Sequence, residues 1–288
     1  MSSANGGSLP DPQLRVYMNL MALDSMGLRN SFHQRLETIS AAGFSGVQFA
    51  TIADREELDL CTSLGLRVAG SGRINLPEES LPFAERMAGD GYECATLHVG
   101  WGLEDDDEAA HLIESVLKAA QRWRIPLYLE THRATIFQDM WRTVGFVRRF
   151  PEIRINGDFS HWYTGQEMVY GGFEKKFAFI RPVLERVRFL HGRIGNPGCM
   201  QVSVEPDAEY VGHFKQLWTA AFRHFLRAAR RGAAIYFVSE LLGPDIYYAR
   251  TFPDRNGVAV EENDRWEQSL LLKRMAEECF QNAKAWAA

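Results

Sequence analysis

The chain has 288 residues, 46% hydrophobic and 24% charged, so it can bury a large core and is not a disordered or low-complexity protein. Its formal charge is -5, from 37 acidic and 32 basic residues with no basic tail or block, which excludes nucleic acid as an expected partner. No run approaches the roughly 20 apolar residues of a membrane span, the opening MSSANGGSLPDP lacks the regions of a signal peptide, and Cys61, Cys94, Cys199 and Cys279 form no CxxC pair, so no membrane, a cytoplasmic location and reduced thiols are expected.

Residues 1–13 read as a flexible tail and 14–288 as one domain. Along that domain short apolar runs alternate with longer stretches of helical period. The runs fall at 15–20, 47–50, 67–70, 95–99, 127–130, 155–158, 188–191 and 235–240. Between them, Ala109, Leu112, Ile113, Val116, Leu117 and Ala120 share one helical face, as do Phe214, Leu217, Trp218, Ala221, Phe222, Phe225 and Ala229. The stretch 265–287 is helical as well. Eight strand–helix units in this length predict an α/β fold of the closed (β/α)8 TIM-barrel type. An open doubly wound sheet would carry a Gly-rich phosphate turn after its first strand, and NLMALDS has none.

Active sites of such barrels lie at the C-terminal strand ends. Four successive strands here end in ligand-type residues: Glu130, Asp158, His191 and Glu240. One such residue can simply cap a helix or form an ion pair, but four in succession bring three carboxylates and an imidazole to one rim. The carboxylates would repel unless a cation neutralised them. Oxygen-rich ligation with one nitrogen and no sulfur suits manganese first, with magnesium, cobalt or zinc as substitutes.

LETH at 129–132, GDFSHW at 157–162, HGRIGNPG at 191–198 and SELL at 239–242, taken in order, resemble the xylose isomerase-like barrel superfamily of sugar isomerases, ketose epimerases and apurinic endonucleases. The resemblance runs from about Leu14 to the end. It implies that Glu130, Asp158, His191 and Glu240 ligate one metal and that Glu130 and Glu240 are also the catalytic proton-transfer pair. His161, three residues after Asp158, matches an Asp-x-x-His pattern whose histidine contacts substrate or a second metal, and here a substrate contact is expected. The chain departs from ketose 3-epimerases in having Ile136 and Pro197 where a glutamate and an arginine are usual. It departs from the endonucleases in having Val204 and Pro206 near their Asp-x-His segment.

Further substrate contacts are expected from His132 and Arg193, two residues beyond a ligand and so on the same side of an extended chain, and from His98 and Trp101 after the fourth strand. His132 and His161 equally suit a role in orienting a carboxylate, and Arg193 one in balancing the acidic rim. Trp162 and Tyr163 are expected to stack on a sugar ring, and His213 and His224 to face solvent. The segment 243–264 is expected to cover the site, with an assembly contact as its alternative.

These readings predict a metal-dependent isomerase or epimerase of a sugar or related α-hydroxy-carbonyl compound. Dehydration of a keto-sugar or keto-inositol, and a non-catalytic carbohydrate-binding or complex-subunit barrel, remain open beside it, as does homo-oligomerisation.

Overall fold

A computed structural model describes residues 10–26 and 31–287; most of the expected tail, residues 1–9, lies outside them. The strands β1 (Gln13–Asn19), β2 (Gly46–Gln48), β3 (Arg67–Ile74), β4 (Cys94–Val99), β5 (Leu127–Glu130), β6 (Ile155–Gly157), β7 (Val187–His191) and β8 (Ala234–Ser239) close into a barrel in that order. Every neighbouring pair is parallel, and β1 returns to β8 with Gln13 opposite Ala234 and Met18 opposite Ser239. This is the (β/α)8 TIM barrel. No described helix is long and apolar enough to cross a membrane.

Helices α1 (Phe32–Ala41), α2 (Arg55–Ser63), α3 (Ser80–Gly89), α4 (Asp106–Trp123) and α5 (Met140–Arg149) follow β1 to β5. Capping sets where they begin. Asp105 accepts from the backbone N–H groups of Asp107 and Glu108, Glu108 accepts from Asp105 N, and three acids in the first turn of α4 complement the helix dipole. Ala109, Leu112, Ile113 and Val116 are buried against the sheet, with Leu117 and Ala120 at the edge of that stripe. One helix was expected after β6; the chain instead makes three short ones, α6 (Phe159–Gly165), α7 (Phe173–Phe179) and α8 (Arg181–Leu184), with Gly171 and Gly172 at positive φ between the first two. Helix α9 (Glu209–Ala228) buries Phe214, Leu217, Trp218, Ala221, Phe222 and Phe225, and it packs on α10 (Arg265–Ala287).

Two expectations fail on this outer layer. Trp162 and Tyr163 are fully buried, with Trp162 Nε1 donating to Phe137 O and Tyr163 packed on Phe214, so neither can stack on a sugar. His213 is half-buried, because its ring stacks on Phe173 at 3.7 Å and Nδ1 lies 2.8 Å from the Tyr163 hydroxyl.

The barrel interior follows the two-residue period of strands. Its lower layer is a separate cluster of Tyr17, Ala69, Cys94, Tyr128, Phe189, Tyr236 and Val238. Glu93 closes the floor, paired with Arg15 and with Arg67 at 3.0 Å and accepting from Tyr17 Oη. Two residues further along each chain stand polar side chains: Asn19 above Tyr17, Ser71 above Ala69, Thr96 above Cys94, Glu130 above Tyr128 and His191 above Phe189. The same step carries Val238 to Glu240. Each of these six polar side chains thus stands two residues beyond a member of the lower cluster.

The observed strand ends change some roles. β6 and β8 stop one residue short of Asp158 and Glu240, and Asp158 becomes the N-cap of α6, accepting from Ser160 N at 3.0 Å. β3 runs on to Ile74 instead of ending at Gly70, carrying Ser71 and Arg73 up the barrel wall.

Candidate metal centre

Glu130, Asp158, His191 and Glu240 each offer a ligand atom within 4.8 Å of the others. Asp158, Glu130 and His191 are buried, and the Glu240 side chain is 13% exposed. His191 Nδ1 lies 3.4 Å from Glu130 Oε2, 3.2 Å from Glu240 Oε2 and 4.0 Å from Asp158 Oδ2. All three carboxylates therefore face one nitrogen.

Polar groups that were not singled out from sequence hold this arrangement. Gln48 on β2 accepts from His191 Nε2 at 3.0 Å and donates to Thr96 Oγ1 at 3.0 Å. A neutral ring that donates Nε2–H to Gln48 would turn its Nδ1 lone pair to the carboxylates, the orientation a metal-ligating histidine takes. Asn156 Nδ2 lies 3.0 Å from Glu130 Oε2 and 3.1 Å from His191 Nδ1. Asn19 Nδ2 lies 3.3 Å from Gln48 Oε1 and 3.4 Å from Glu240 Oε1. The two-residue period that places Glu130 and His191 also points to Asn19 and Thr96 inside the barrel.

Burial opposes charge on His191, yet Glu240 and Glu130 outweigh it and raise its pKa to about 10. Burial likewise works against the Glu130 carboxylate, and His191 and His98 more than offset it, holding Glu130 well below the ordinary range. The carboxylate cluster thus demands positive charge at Nδ1. Three carboxylates, one correctly oriented imidazole and no thiolate fit a hard divalent cation.

Arg193 is buried in the same cluster. Its guanidinium pairs with Asp158 and, at 2.9 Å, with Glu240, while Nε donates to Ser160 Oγ at 3.1 Å. Burial disfavours its charge, but the Asp158 and Glu240 carboxylates raise its pKa further. Gly192 makes the spacing between His191 and Arg193 workable: a Cβ there would lie 2.2 Å from the ring of Phe237, which is itself wedged edge-on against Trp218. Gly192→Ala is expected to cost about 1–3 kcal/mol by overpacking and to weaken cation binding. Urea unfolding with and without manganese measures both, and unchanged midpoints would show that the ring yields without cost.

Three imidazoles lie in a tilted row beside the cluster, with ring centroids 3.9 Å apart for His98 and His132 and 4.0 Å apart for His132 and His161. His98 Nε2 is 3.3 Å from Glu130 Oε1. Burial lowers the pKa of His132 to about 3, with His161 adding to the effect; burial and then Arg193 keep His161 well below its usual value. His98, Glu130 and His132 form a second donor set, but the Arg73 guanidinium, 3.5 Å from His98 Nδ1, places a cation beside it already.

The cavity above the cluster has a volume of about 390 Å³, and Glu130, Glu240, His191, Arg193, His98 and His132 all line it. His161 lies outside the lining, buried with Nε2 3.4 Å from Arg193 and 3.6 Å from Asp158 Oδ2, in the place of an orienting group. Trp101 is also outside it and half exposed, because Gly100 and Gly102 at positive φ turn the chain away after β4. Its ring instead lies under Arg73, 4.0 Å from the guanidinium carbon.

Only the start of 243–264 reaches the cavity. Ile246 and Tyr248 line it, Tyr248 lying over Arg193 at 4.6 Å with its hydroxyl 3.4 Å from His132 Nε2. The remainder forms an exposed hairpin of β9 (Thr251–Pro253) and β10 (Ala259–Glu261), so the tip does not cover the site as expected.

The chain has the fold of the xylose isomerase-like TIM barrels. A xylose isomerase-like TIM-barrel protein from Mycobacterium smegmatis, solved in complex with magnesium, is 14% identical, with 95% of this chain and 98% of that chain covered and a TM-score of 0.56. D-allulose 3-epimerase from Methylomonas sp., in complex with D-allulose, is 13% identical over 96% and 98% of the chains with a TM-score of 0.54. The probable 3-DHS dehydratase AsbF of Bacillus anthracis is 15% identical over 90% and 97%, with a TM-score of 0.53. At these identities the likeness is one of fold. No protein-family model matches the chain, and no curated protein does.

Proposed function

We propose that the chain is a divalent-metal-dependent isomerase or epimerase of a sugar or related α-hydroxy-carbonyl compound, with Glu130, Asp158, His191 and Glu240 as ligands and manganese as the first-choice ion. The observation that carries this reading is that two carboxylates, Glu130 and Glu240, line one cavity and both lie within 3.4 Å of His191 Nδ1. A cation held by this set supplies electrophilic stabilisation for negative charge developing on a substrate oxygen.

The remaining chemistry belongs to the chain. One glutamate takes the proton from the carbon next to the carbonyl, leaving the electron pair to form an enediolate, and the other returns a proton. Return to the same carbon from the opposite face is epimerisation; return to its neighbour is isomerisation. Asn156 and Asn19 hold the two carboxylates at fixed positions, and Arg193 compensates charge on the Glu240 side. Tyr248 and Ile246 narrow the cavity mouth against water. The allulose epimerase and the dehydratase of the same fold give precedent for sugar and keto-compound chemistry on it.

The test is solvent-deuterium incorporation at carbon, followed by NMR for the manganese-loaded protein in D2O with keto sugars, inosose and hydroxypyruvate. Exchange with retention of all hydroxyls supports the proposal, and loss of a β-hydroxyl redirects it to dehydration. A sugar that binds without any exchange makes the chain a binding barrel. Metal loading has its own readout: manganese at 100 times its Kd stabilises the fold by about 2.7 kcal/mol, a rise of several degrees in Tm that EDTA reverses. A Tm indifferent to manganese, magnesium, cobalt and zinc alike would remove the ion from the proposal.

A further inference from the structure

We propose that Arg73 anchors a carboxylate of the substrate, so that the compound transformed at the Glu130/Glu240 pair is a sugar acid or keto acid and not a neutral sugar. This rests on the function proposed above and names its substrate class.

Arg73 lies on the part of β3 that overruns its expected end, and it lines the same cavity as the two glutamates. Its guanidinium is held in place. Nη1 donates to Gly100 O at 2.6 Å and to Ala134 O at 3.3 Å, and the Trp101 ring supports the guanidinium at 4.0 Å. A fork fixed in this way loses little freedom on binding a planar anion.

None of those partners carries a negative charge. Among the described residues no carboxylate lies within ion-pair distance of Arg73, whereas the other arginine that lines the cavity, Arg193, is paired. Glu104, the acid of the neighbouring loop, spends its oxygens on the backbone N–H groups of Trp101, Gly102 and Leu103.

Charge counting points the same way. A divalent cation and Arg193 together would neutralise Glu130, Asp158 and Glu240, which leaves Arg73 without an ion-pair partner in the cavity, the Glu104 carboxylate acting on it only from beyond ion-pair distance. One carboxylate matches the guanidinium charge, and a phosphate dianion exceeds it. The span also fits, since a single imidazole separates the groups: Arg73 Nη2 is 3.5 Å from His98 Nδ1, and His98 Nε2 is 3.3 Å from Glu130 Oε1. A substrate whose carboxylate sits at Arg73 would therefore place a carbon a few bonds away beside the glutamates.

Calorimetric titration of the manganese-loaded protein with D-glucuronate, D-glucose and D-glucose 6-phosphate tests the anchor without requiring turnover. Glucuronate is expected to bind about 10- to 100-fold more tightly than glucose, the range of a charge-assisted hydrogen-bond pair. Arg73→Met should erase that preference, and Arg73→Lys should restore part of it, which separates lost charge from lost folding. Glu240→Gln should retain the preference, so that a failure of proton transfer and a failure of the anchor give different results. The proposal is overturned if glucose or glucose 6-phosphate binds as tightly as glucuronate. It is equally overturned if the preference survives Arg73→Met, or if glucuronate shows no binding at millimolar concentration.

Discussion

Glu240→Gln is expected to leave the barrel folded and to lower deuterium exchange at the substrate carbon by about 10² to 10⁴-fold, the usual contribution of a positioned general base. The amide oxygen can still ligate, and it can still accept from Asn19 Nδ2, now 3.4 Å from Glu240 Oε1. What it cannot do is take a proton. Glu130→Gln should fall equally far if both faces of the carbon are used, although its amide would also have to sit beside Asn156 Nδ2 and His98. Manganese content, measured on the same preparations, should stay near that of the unmodified protein. Exchange at near wild-type rates in both variants would end the paired-glutamate mechanism and leave His132 as the base to examine, since it lines the cavity.

Arg193→Met should produce the largest loss of stability. The substitution removes a buried cation from two carboxylates, one of them fully buried, and breaking a buried pair in this way typically costs about 3–5 kcal/mol. The uncompensated group is Asp158, whose remaining donors are Ser160 N and Ser160 Oγ. Manganese should narrow the deficit, because the ion returns positive charge to the same carboxylates. Arg193→Lys should lose less than Arg193→Met, keeping a charge but not the fork that reaches Asp158, Glu240 and Ser160 together. Urea unfolding of the three proteins with and without metal measures each difference. An Arg193→Met protein as stable as wild type would mean that water or a side-chain shift already satisfies Asp158.

Much of the barrel was legible because strand period and helix period are local properties. The eight apolar runs correspond to the eight strands, and the stripes on α4 and α9 face the sheet as their spacing requires. Ends were less legible. Gly70 looks like a stopping point, yet Met87 and Tyr92 fill the space a side chain would occupy there and β3 continues. Arg73 was missed for that reason. Trp162 and Tyr163 look like sugar platforms beside a ligand motif, but a helix begins at Phe159 and turns them into the core.

By itself the sequence determined the repeat of strand and helix, the absence of any membrane-length apolar run, and the positions of Glu130, Asp158, His191 and Glu240 at the ends of successive strands. Those features depend on residue type and spacing along a few neighbours. Tertiary structure alone decided that Gln48, from a strand distant in sequence, orients His191, that Arg193 stands inside the carboxylate cluster, and that Trp101 braces Arg73 instead of the cavity wall. Each of these is a contact between strands brought together by barrel closure, and its energy depends on distance and burial across the barrel, which no local pattern encodes.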